Sequence, residues 1–145
     1  RLENTLSTFG SVTRGICTVE NNQLDSIVET QELIKQGNII SSNRNIKFDG
    51  NEPVSMNMWG FTPHFFNYLQ KEFINFLNDE MQNLKSEYLI PTIVNKLVQN
   101  KQERVRVLRS DTSWFGVTYK EDQSYVVKRI KELIKSDIYS SPLFK

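Results

Sequence analysis

Apolar and polar positions change period several times along the chain, most sharply in VSMNMWGFTP, residues 54–63. Here Val54, Met56, Met58 and Trp59 give an apolar run of strand length that Gly60 ends. Thr62 suits a helix cap, and Pro63 suits a first helical position because proline lacks the amide hydrogen that would have no partner there. Phe65, Phe66, Leu69, Phe73, Phe76 and Leu77 then recur at helical spacing, with Asn67, Gln70, Lys71, Asn75 and Asp79 opposite them. The pattern predicts a buried central strand at 54–59 entering an amphipathic helix whose aromatic stripe belongs to the core.

Upstream, SVTRGICTVE (11–20) alternates as a strand does, Asn21 and Asn22 suit a tight turn, and LDSIVE (24–29) is a second strand, so the two form a hairpin. Residues 30–53 are polar, contain Gly37, Gly50 and the run SSNRN, and predict a surface excursion whose length favours a substrate-covering role. Downstream, residues 81–86 break the pattern. Pro91 opens a helix with Ile93, Val94, Leu97 and Val98 on one face. Val105 and Val107 alternate with Arg104, Arg106 and Arg109 as an edge strand with a basic outer face. Asp122 caps a last helix that turns Val126, Val127, Ile130, Leu133 and Ile134 inward, and the tail 136–145 packs as an irregular strap. The fold class expected is α/β, a mixed sheet with at least three helices.

The chain has 145 residues, one domain's worth, with 38% apolar and 24% charged residues. No apolar run approaches a membrane span, and a net charge of +1 gives no global attraction to nucleic acid or membrane. One cysteine, Cys17, and one histidine, His64, exclude an internal disulfide and a zinc-type cluster, and fit a reducing cytoplasm. The chain starts at Arg1 without a signal-peptide pattern, which suggests a piece of a longer protein.

Single residues carry modest chemistry. Cys17 lies mid-strand with no histidine nearby in sequence, as a structural thiol does. His64 falls in the first turn of a helix, a surface or boundary position. The three arginines could track a phosphate backbone, but Glu103 and Asp111 bracket them and net charge is near zero, so a solvated strand face is the safer reading. Glu29 ends a strand where the chain changes direction, where α/β folds meet ligands. Asp111 near Trp114 could hold a metal or a sugar, or cap a turn.

Taken in order, five segments resemble the second half of a sugar-phosphate nucleotidyltransferase, nearest to a bacterial branch known only as nucleotidyltransferases. RGICTVE (14–20), SIVET (26–30) and VSMNMWGFTP (54–63) follow the order of that family's G-V-V-E strand, V-E-K-P hairpin partner and A-N-A-G-I-Y-V-F-D-P strand. SEYLIPTIV (86–94) resembles E-Y-Y-L-T-D, and WFGVTYKED (114–122) resembles W-x-D-I-G-T-P-E-D. The resemblance implies the C-terminal portion of a Rossmann-like domain. It implies that Gly15 lets the sugar approach, that Glu29 accepts its hydroxyls, that Asn57 lies beneath it, and that Glu87 matches the acid of E-Y-Y-L-T-D. Two positions depart: Thr30 replaces a lysine that touches the sugar phosphate, and Gly116 replaces the second magnesium-binding aspartate, for which Asp111 is the substitute.

The family's glycine-rich triphosphate loop and first metal aspartate have no counterpart here. The resemblance therefore implies a sugar-recognising fragment, inactive alone, whose partners are the missing N-terminal half, a nucleoside triphosphate and a sugar phosphate. Magnesium belongs to the complete enzyme, and none is expected in the fragment. The alternatives are a non-enzymatic interaction domain of similar architecture and a nucleic-acid module using the arginine strand.

Overall fold

The computed structural model describes residues 1–7, 9–117 and 119–142, and its backbone is organised by a hairpin. Strands β1 (Val12–Glu20) and β2 (Gln23–Gln36) pair antiparallel. Asn21 and Asn22 have φ of 50° and 61°, the left-handed pair that a two-residue turn between twisted strands requires. Strand β2 continues well past residue 29. Gly37, at φ 63°, then returns the chain into β3 (Ile39–Ser41), giving a sheet of order β1-β2-β3.

The stretch expected as a surface excursion is thus partly sheet and core. Leu33, Ile40 and Phe48 are buried there; Leu33 and Ile40 each stand beside an exposed isoleucine, Ile34 and Ile39, so the apolar residues set no clear period.

The expected central strand at 54–59 is corrected more strongly. The chain touches β1 through one bridge, Ile16 with Val54, flanked by bonds from Cys17 N to Pro53 O and from Ser55 N to Gly15 O. Asn57 then turns to φ 53° and the chain leaves the sheet, with Met56 and Met58 exposed. Pro53 has no amide hydrogen to extend the ladder on one side, and the left-handed residue ends it on the other.

The outer edge of β2 is completed piecemeal. Leu24 N donates to Val105 O and Val107 N to Asn22 O, so 105–107 is the short edge segment expected. Asn95 Oδ1 accepts from Ile27 N, and Gln99 Nε2 donates to Asp25 O, so two amide side chains of α2 stand in for a neighbouring strand. Asn43 and Gln31 exchange bonds further along, and β3 covers the end. The two faces of the hairpin carry separate cores. Leu24 and Ile27 meet Phe65, Ile93, Val94 and Leu97 on one, and Val12 and Leu33 meet Leu2, Ile40 and Phe48 on the other.

Helices α1 (Phe65–Glu80), α2 (Ile90–Gln99) and α3 (Asp122–Lys135) begin near the expected residues. Thr62 contributes its carbonyl, which accepts from Phe65 N, and α1 has no side-chain cap. The aromatic stripe of α1 is only partly core. Phe65 is buried, but Phe66, Phe73 and Leu77 are exposed, together with Ile74 and Met81. Apolar residues occupy more of the circumference of α1 than one contact with α2 and the 86–89 loop can cover.

In α3, Val126, Ile130, Leu133 and Ile134 are half-buried while Val127 is exposed, against expectation. Asp122 Oδ2 accepts from Tyr119 N at 2.8 Å. The tail returns at once, with Ile138 N and Tyr139 N bonded to Leu133 O; the rest of the expected strap, residues 143–145, and Thr118 of WFGVTYKED lie outside the described residues. Among the described residues no helix is long and apolar enough to cross a membrane.

Candidate ligand-binding site

Gly15 and Glu29 are direct cross-strand partners in the β1–β2 ladder, and Ser55 bonds to Gly15 from the other side. RGICTVE, SIVET and VSMNMWGFTP therefore lie side by side in space. Alternation puts Gly15 and Glu29 on the face that carries Cys17 and Ile27, at the margin of the core built with α1 and α2. Glu29 is half-buried and, among the described residues, its carboxylate has neither a hydrogen-bond partner nor a cation. A carboxylate held this way on a rigid strand keeps all of its acceptor capacity for a ligand.

The reason for glycine at 15 differs from the one expected. A Cβ there would fall 2.9 Å from Ile27 Cδ1 and 3.4 Å from Ser55 Cβ, so the space is filled by the packing of Ile27 rather than left open. Asn57, two residues beyond Ser55, is exposed, and its left-handed backbone is held by a bond from its amide to Ser55 Oγ. Glu87 is exposed in the loop after α1, next to Tyr88, whose ring packs on Phe73 and Phe76. Asp111 is exposed in the link before Trp114. Among the described residues no hydrogen bond or ion pair joins Glu87 or Asp111 to the Gly15–Glu29 pair.

A magnesium ion wants several oxygen ligands in a near-octahedral arrangement. Among the described residues no three histidine, cysteine or acidic side chains are grouped to hold a metal. Gly116 has no room for a carboxylate, since a Cβ there would meet the Trp114 ring at 2.5 Å. The described residues bring together no such donor set for magnesium.

Cys17 behaves as the structural thiol expected. Burial raises its pKa to about 11, partly opposed by the backbone of Ser55, so it carries no thiolate at neutral pH. His64 packs its ring edge-on to Tyr68 at 5.0 Å and is exposed, and Arg104, Arg106 and Arg109 lie in water. Sequence reasoning passed over two arginines. Arg14 is half-buried over the Trp114 ring, and Arg44, from SSNRN, donates to the hydroxyl of the buried Thr30. The SSNRN motif flagged the loop but not its target, because the Arg44–Thr30 contact spans 14 residues.

No family model matches the chain, and no curated protein sequence matches it.

Proposed function

We propose that this chain is the sugar-phosphate-recognising part of a nucleotidyltransferase, of Rossmann-like fold when complete, which forms a nucleotide sugar and pyrophosphate. The observation that carries the reading is the Gly15–Glu29 pair with Ser55 beside it. It sets the first two segments of the resemblance against each other, with the start of the third on the far side of β1, and leaves one half-buried carboxylate without a partner among the described residues. A hydroxyl-rich ligand needs a few fixed acceptors, and each hydrogen bond to an ionised carboxylate shielded from water contributes about 1.5–3 kcal/mol. Asn57, beyond Ser55, is the second residue of the proposed sugar contact, with Glu87 and Asp111 contributing only if the other half draws their loops in.

In this reading the triphosphate cradle and the first metal aspartate belong to the N-terminal half, and magnesium to the complete enzyme, with Asp111 the candidate ligand from this chain. The uncovered side of α1, Phe66, Phe73, Ile74, Leu77 and Met81, is the surface available to that half, and the fragment alone is inactive. In the complete enzyme, Glu29→Gln should weaken use of the sugar phosphate at least tenfold while triphosphate binding stays nearly unchanged. Equal loss of both, or of neither, would remove Glu29 from the site.

The same uncovered helix face favours a second reading, a non-enzymatic interaction domain. A longer chain including the preceding half that releases no pyrophosphate from any pairing of triphosphate and sugar phosphate would favour it over catalysis.

A further inference from the structure

Around Glu29 the sheet face is neutral. The residues beside it there are Gly15 across the ladder, Ile27 and Gln31 on its own strand, and Thr13 and Cys17 on β1, none of them ionised at neutral pH. Ser55 reaches the same face, since its Cβ lies 3.4 Å from where a Gly15 Cβ would stand, and its hydroxyl oxygen accepts from Asn57 N. The two cations nearest along the ladder are turned away. Arg14, next to Gly15, donates to Thr5 O and lies over the Trp114 ring, while Arg44 donates to the hydroxyl of Thr30, next to Glu29, on the opposite face. Among the described residues nothing donates to the Glu29 carboxylate and no cation pairs with it.

A carboxylate partly withdrawn from water is stabilised by opposite charge close to it, and this face supplies none. A ligand hydroxyl donates a single hydrogen bond and leaves the charge uncompensated. An ammonium donates three, accepts none and cancels the charge, and bonds between two ionised groups are the stronger kind. Asn57, exposed two residues beyond Ser55, brings a side-chain carbonyl as a further acceptor. We propose that the non-phosphate part of the ligand held at Glu29 carries a primary ammonium group, as in an amino sugar. The inference rests on the sugar-phosphate reading above and narrows it from hydroxyl-rich ligands in general to those with an amine.

The test titrates the 145-residue chain with glucosamine, with glucose, in which a hydroxyl replaces the amine, and with ethanolamine, which has the amine but no ring. Backbone amides are followed by NMR at constant ionic strength and at about pH 6, where a primary amine is protonated. Glucosamine should give saturable shifts centred on Gly15, Glu29 and Ser55 and bind about tenfold more tightly than glucose. Glu29→Gln, which keeps the shape and removes the charge, should abolish that preference while the amide spectrum away from the site stays native. Ethanolamine as tight as glucosamine would assign an amino alcohol, and a weaker one an amino sugar. Glucose and glucosamine bound equally, with both weakened by Glu29→Gln, would overturn the ammonium inference and leave the hydroxyl reading standing. A glucosamine preference that survives in Glu29→Gln, shifts centred on Glu20 and Asp25, or no saturable binding would also overturn it.

Discussion

Strands β1 and β2 bury apolar side chains on both faces, whereas α1 is covered along one side and bare along the other. In the hairpin Leu33 is fully buried, and β2's backbone groups are matched in turn by a bridge, two amide side chains, a loop and a strand. In α1, Phe66 is 66% exposed, Ile74 56% and Met81 66%, while the covered side holds Phe65 and a Lys96–Glu72 ion pair to α2. The hairpin is therefore covered on both faces, whereas one side of α1 is left uncovered among the described residues. A side chain's apolar character has different consequences in the two places.

Leu33→Ala against Ile74→Ala states the contrast most strongly. Truncating Leu33 should cost about 2–5 kcal/mol by leaving a cavity in the core it forms with Leu2, Val12, Ile40 and Phe48. Truncating Ile74 should change stability by less than about 0.5 kcal/mol in the isolated chain, because the removed atoms already meet water. Denaturant unfolding of both variants checks this, and a large loss at Ile74 would mean the α1 face is covered in solution. Next in size is Gly15→Val, expected to destabilise by about 1–3 kcal/mol through its clash with Ile27. If an open ligand pocket existed at Gly15, the same variant would keep its melting temperature and lose only ligand binding.

The smallest effect concerns Cys17. Its folded pKa, raised to about 11 by burial, lies above that of an unfolded thiol, so the native state holds the proton that the unfolded state loses. Stability should therefore be unaffected below about pH 8.5, the ordinary thiol pKa, and fall as pH rises from there toward 11. Cys17→Ala should remove that part of the alkaline slope, and thiol-labelling at pH 8 should be slow until the chain is unfolded. Rapid labelling of the native chain would show the thiol to be exposed.

Much of the local architecture was legible because it rests on local rules. Asn21-Asn22 announces a tight turn, Pro91 and Asp122 mark helix starts, and Ile93, Val94 and Leu97 recur at the period of a buried helical face. Glu29, expected at a strand end, lies instead inside β2, which runs on to Gln36, and its pairing with Gly15 depends on the register of the hairpin. Illegible were the features set by partners far away in sequence. Residues 54–59 have strand composition, but a strand exists only where neighbours satisfy its ladder, and here they do so only beside Val54.

The amino-acid order by itself determined the hairpin turn and the three helices, since each follows from backbone preference or period over a few residues. Tertiary structure alone decided that the aromatic face of α1 is divided between core and solvent, that Ile27 fills the space beside Gly15, and that Arg44 reaches Thr30. Periodicity tells which residues share a face, but not how much of that face another element is available to cover.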